Sequence, residues 1–138
     1  MKKDIMSEKA ARAFRCYARL GLADSGSAFE IVCKIRGICS DSAALDMLAV
    51  FDTLRLLEFL GDGIAIEAVS EIYLKTARSK PHANEITFLI RRIADRLHCD
   101  DRTIYRKLKK ARDLWSYLRE REKKQTAGDR SLLKKLFT

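Results

Sequence analysis

One proline, six glycines, one tryptophan and two histidines in 138 residues leave several structures and chemistries without material. With Pro81 the lone proline, long spans run uninterrupted and favour helices. His82 and His98 are isolated, and no H-E-x-x-H, nucleophile elbow or Gly-rich phosphate loop occurs, so the residues imply binding with no reaction and no cofactor. Cys16, Cys33, Cys39 and Cys99 form no C-x-x-C pair and have no His at ligand spacing, which removes the usual zinc patterns. They read as small buried hydrophobes. No apolar run reaches the roughly 18 residues of a membrane span. After the charged opening MKKD, Ser7 to Leu20 is interrupted by Arg12, Arg15 and Arg19, so no signal core forms and a cytoplasmic protein with reduced thiols is expected.

What is present points to helices. Hydrophobic residues at 47% and charged residues at 34% argue against wholesale disorder, and no segment alternates at period two. The expected class is all-α. Residues 84 to 124 carry 13 basic and 7 acidic side chains against 9 and 8 in residues 1 to 60, so the net charge of +9 is concentrated in the second half. Such clustering is the electrostatic footprint that a polyanion requires.

Three regions follow from the punctuation. Residues 1–62 read as an N-terminal helical region, 63–124 as the unit that would meet the polyanion and 125–138 as a basic tail. The first helix covers Ser7 to Leu20, with Ala10, Ala13, Phe14, Tyr17 and Leu20 on one side and Gly21 at its end. After the loop LADSGS, Ser27 caps a second helix whose inner face includes Ile31, Ile35 and Ile38. The third, Ser42 to Leu60, is apolar nearly all round and serves either as a core helix or as a dimer seam. Gly61-Asp62-Gly63 breaks the chain. A fourth helix runs from Ile64 to about Ala77 with Val69, Ile72 and Tyr73 inward, and Asn84 caps the next after the Pro81 loop. In the tail, Thr126-Ala127-Gly128 interrupts the helix before Leu132, Leu133, Leu136 and Phe137.

The stretch from Glu85 to Leu118 organises the second half. Ile86, Leu89, Ile90, Ile93 and Leu97 keep the spacing of one helical face, and Ile104, Leu108, Ala111, Trp115 and Leu118 repeat it about four turns long. Between them, His98 sits at the turn and Asp100 caps the second helix, with Cys99 and Ile104 as a hydrophobic staple. Ala94 is small enough for close approach. A helix-turn-helix is the expected result. Its outer face carries Arg102, Thr103, Arg106, Lys109 and Lys110, with Asp101 and Tyr105 at the edges. Trp115 lies on the apolar stripe and reads as core. Tyr105 either bonds a phosphate or touches a thymine methyl, or else packs on the preceding helix.

The segment IADRLHCDDRTIYRKLKKARDLW resembles the helix-turn-helix of region four of bacterial sigma factors and of related small phage and Firmicute transcription regulators. Ile93-Ala94, Leu97, Thr103-Ile104, Leu108 and Ala111 carry the likeness, while His98 replaces the usual turn Gly and Asp100 the usual Ser or Thr cap. The resemblance implies that Arg102, Thr103, Arg106 and Lys109 face double-stranded DNA. Read from the residues, Arg102, Thr103 and Arg106 form the pool for bases, and Lys107, Lys109, Lys110 and Arg112, with Arg91, Arg92 and Arg96, the pool for phosphates. The N-terminal helices would pair protomers as a homodimer through residues 1–60, receive a signal or touch RNA polymerase. The rival reading is a sigma-like module that docks on polymerase or another regulator, with the apolar tail residues as groove anchors. A third reading is attachment of the basic tail to an anionic membrane.

Overall fold

The computed structural model describes residue 6 and residues 8–79 and 81–121 with their side chains, and its last helix is assigned to Phe137. The described residues hold helices and no strand: α1 (Lys9–Arg19), α2 (Ala28–Ile35), α3 (Asp41–Phe59), α4 (Gly63–Val69), a π-helical segment (Ser70–Leu74), α5 (Ala83–Arg96) and α6 (Asp101–Phe137). The all-α expectation holds. The expected break at Thr126-Ala127-Gly128, the apolar tail and the opening MKKD lie outside the residues whose side chains are described. No helix among the described residues is long and apolar enough to cross a membrane.

Caps explain most of the boundaries. Ser27 and Ser40 each accept, through Oγ, a hydrogen bond from the backbone amide three residues on, at 3.2 Å, and Asp62 does the same through Oδ1 for Ala65. At the far end of α3, Gly61 takes φ +70°, which lets its own amide and that of Asp62 fold back onto the carbonyls of Glu58 and Leu57. This paired closure needs a left-handed residue, and glycine adopts one without a Cβ clash.

α6 is the spine of the fold. It packs against α1, α3, α4 and α5, and its buried stripe of Ile104, Leu108, Ala111 and Trp115 belongs to the same hydrophobic cluster as Phe14, Tyr17, Val50, Leu57, Val69 and Tyr73. The core therefore runs across the Gly61-Asp62-Gly63 break. α3 is central, packed between α1, α2, α4 and α6, with Met47, Val50 and Leu57 buried; its apolar end projects, Phe59 being 87% exposed.

Three local expectations need correction. α2 stops at Ile35, and the turn at Gly37, with φ +79°, carries Ile38 off the inner face so that it is exposed. The α-helix expected to reach Ala77 gives way at Ser70 to a π-type turn, closed by the Lys75 amide donating to the Ser70 carbonyl at 2.9 Å. The wider turn occurs where Ile72 and Tyr73 are both buried and the Tyr73 ring stacks on Phe14 at 5.6 Å between centroids. α5 begins at Ala83, two residues earlier than a cap at Asn84 would place it, because His82 after the proline is already the extended residue before the first turn; Asn84 lies inside that turn. Among the cysteines, Cys33 is exposed, while Cys16, Cys39 and Cys99 are half-buried and all are free thiols.

Candidate nucleic-acid interface

The connection between α5 and α6 is closed by backbone bonds. His98 takes φ +56°, the position at which helices usually place glycine, and its amide donates to the Asp95 carbonyl at 3.3 Å. The Cys99 amide reaches the Ala94 carbonyl at 2.9 Å. Asp100 then starts the second helix, its carbonyl accepting from Thr103 at 3.0 Å and Ile104 at 3.3 Å. Ile90, Ile93 and Ala94 of α5 and Ile104 and Leu108 of α6 are buried in one cluster, with Leu97 and Cys99 packed against it. The residues read as stripe, turn and staple thus occupy those places.

Burying that stripe leaves the opposite face of α6 outward. Arg102, Tyr105, Arg106 and Lys109 are exposed, and Thr103 is half-buried with its Oγ1 3.4 Å from Arg106 Nη2. Arg91 and Arg92 are exposed on α5. None of Arg91, Arg92, Arg102, Arg106 and Lys109 lies within ion-pair distance of a carboxylate among the described residues. Arg106, Lys109, Lys110, Asp113 and Leu114 line a shallow open recess of about 370 Å³.

The remaining cations of the expected phosphate pool are engaged within the chain. Lys107 and Lys110 both donate to Asp62 Oδ2, at 2.9 and 2.6 Å. The Asp62 side chain is only 8% exposed. Its burial raises the carboxyl pKa, but the bonds from Lys110 and Lys107 and from the Ala65 amide outweigh this and hold it at about 2. Arg96 pairs with Glu67 at 3.0 Å and Glu71 at 3.7 Å. The hydrogen bond from Lys75, opposed by burial and helped by the charges of Lys75, Arg96 and Arg92, keeps Glu71 below the usual carboxylate range.

Arg112 differs most from its expected place. It is 7% exposed, with Nε on Glu8 at 2.9 Å and Nη1 on the Tyr73 hydroxyl at 2.9 Å, so it is a core tie and has no reach to a ligand. Its outward reading failed because its partners lie in α1's cap and the π segment, far away in sequence. Trp115 is buried, as its stripe position predicts, and its Nε1 donates to the Asp46 carbonyl at 3.1 Å. Base stacking by Trp115 is thereby excluded. Asp62 was missed as a site residue, although an Asp between two glycines ahead of an apolar run is a helix-cap signal. No family model, curated protein or solved structure matches the chain.

Proposed function

We propose that the protein binds double-stranded DNA through the outer face of α6, with α5 beside it, as a helix-turn-helix regulator of transcription. The observation that carries this reading is the group of free cations. Arg102, Arg106 and Lys109 stand exposed and unpaired on one face of a helix whose other face is locked into the core, with Arg91 and Arg92 on the adjoining helix. A rigid rod with long donors near its N-terminal end is what reading base edges in a major groove requires. The left-handed turn at His98 and the buried Ala94 support this reading, since both favour a short connection between α5 and α6. Arg102, Thr103 and Arg106 are assigned to bases, and Lys109, Arg91 and Arg92 to phosphates; Tyr105, at the edge, is in reach of either.

Selection from random duplex, followed by titration over about 50 to 200 mM salt, tests the assignment. Arg106→Ala should weaken the selected site by about 1 to 3 kcal/mol and relax one position, while Lys109→Ala should weaken all duplexes alike and flatten the salt slope by about one unit. Failure to enrich a site, with Arg106→Ala indistinguishable from the parent on every duplex, overturns it. The reading that would then take its place is a docking module for RNA polymerase or another regulator, favoured by Phe88, 66% exposed on α5 beside Leu89 in an open recess with Asn84 and Glu85.

A further inference from the structure

The short element formed by α4, its cap and the π segment sets three carboxylates against three cations of α5 and α6. Asp62 takes Lys107 and Lys110, and Glu67 and Glu71 take Arg96. The two ends of this acidic edge differ. Glu67 and Arg96 are each about half exposed, at 50% and 52% of the side chain, so water screens the pair. The Asp62 side chain is largely enclosed and doubly committed, Oδ1 fixed by the Ala65 amide while Oδ2 receives both ammonium groups. Lys107 and Lys110 are three residues apart on α6 and converge on that one oxygen, as two lysines would converge on a phosphate oxygen.

We infer that Asp62 is a built-in competitor for DNA phosphate: it occupies Lys107 and Lys110, withholds them from the duplex and confines the contact to the free cations on the other edge of α6. This rests on the proposed DNA-binding reading. A phosphate approaching these lysines meets a site already filled by a carboxylate that cannot swing away without uncapping α4. The set of Lys107, Lys110 and Asp62 then carries one net positive charge instead of two. Affinity is held below what the composition of the segment would give, and dissociation at cellular salt is eased.

The test is Asp62→Asn, which keeps the size and the capping oxygen and removes only the charge. Binding of a short fluorescent duplex of random sequence is measured for the intact protein over about 50 to 200 mM salt. The expected result is about three- to tenfold tighter binding at about 100 mM salt and a salt slope steeper by about one unit. Adding Lys107→Ala and Lys110→Ala to Asp62→Asn should remove the gain, and Glu67→Gln alone should change affinity by less than about twofold, since its pair is solvent-screened. Should Asp62→Asn melt as an unfolded chain, Asp62→Ser, which also caps, is read in its place. A folded variant that binds as the parent does, with the same slope, overturns the competitor and leaves the DNA-binding reading standing. A silent parent with a binding variant supports the competitor in its strongest form. If neither binds, the DNA-binding reading falls and the competitor falls with it.

Discussion

Trp115 offers the sharpest test of the packing that presents α6. It is 2% exposed and the only tryptophan, so its emission reports one environment. Replacement by Ala removes an indole that closes the α3–α6 seam and also deletes the bond to the Asp46 carbonyl. A buried aromatic of this size excludes about 150 to 250 Å² from water, and large-to-small changes of this kind cost about 3 to 5 kcal/mol. The lost hydrogen bond adds little, because Asp46 lies inside α3 and its carbonyl keeps a helical partner. Against a total stability of about 5 to 15 kcal/mol, that is a large fraction.

At about 3 to 4 °C per kcal/mol for a chain of this length, the midpoint should fall by about 10 to 20 °C. Trp115→Phe, which keeps an aromatic body, should lose less than half as much. Circular dichroism melts of both variants give the shifts, and iodide quenching of the parent's emission gives burial independently. A Trp115→Ala midpoint within a few degrees of the parent, together with quenching as efficient as that of free tryptophan, would refute the packing. It would return base stacking to consideration.

Other consequences follow from single contacts. His98→Gly should raise the midpoint by a few degrees, about 0.5 to 1 kcal/mol, because glycine enters left-handed backbone without strain, whereas His98→Val should lower it; equal midpoints would deny the turn geometry. Arg112→Ala should lose about 2 to 4 kcal/mol in urea unfolding, somewhat less than the about 3 to 5 kcal/mol for breaking a fully buried pair because Glu8 is about one-third exposed; Arg112→Lys should recover only part, since an ammonium lacks the fork that serves Glu8 and Tyr73 together. Asp62 titrates near 2 when folded and near 3.8 when unfolded, so the unfolded chain binds the proton more tightly. Its contribution of about 2 kcal/mol is present above pH 4 and is lost as pH falls through about 2, and urea melts of Asp62→Asn should lack that share of the acid dependence.

The parts legible in the sequence are those set by near neighbours. The stripes of α5 and α6, the serine cap of α2 and the turn at His98 all depend on residues within a few positions. Periodicity and capping chemistry reach that far. Apart from the local misreadings at Ile38 and Asn84, what escaped reading depends on partners distant in the chain. The π turn at Ser70 accompanies a stack of Tyr73 on Phe14, and Arg112 is drawn inward by Glu8 and Tyr73, which no local pattern on α6 reveals. Lys107 and Lys110 illustrate the same limit: their spacing marks a shared face, but only the fold brings Asp62 to it.

These long-range ties also decide which part of α6 is free to act. From Lys107 onward, successive turns are fastened to residues that precede α5: Lys107 and Lys110 to Asp62, Arg112 to Glu8 and Tyr73, Trp115 to Asp46, and Arg119 to Asp46 at 2.6 Å and to Ser42. The residues before Lys107 make no such tie: Ile104 is buried against the core, while Arg102, Arg106 and, past Lys107, Lys109 are exposed and bond no residue that precedes α5 among the described residues, Arg106 reaching only Thr103. A helix anchored along its length and free at its start presents long side chains from a fixed axis. Fixed position limits the entropy lost on docking to the side chains themselves, about 0.5 to 1.5 kcal/mol each. The N-terminal helices therefore serve the proposed reading end directly, because they supply the anchors that hold its axis.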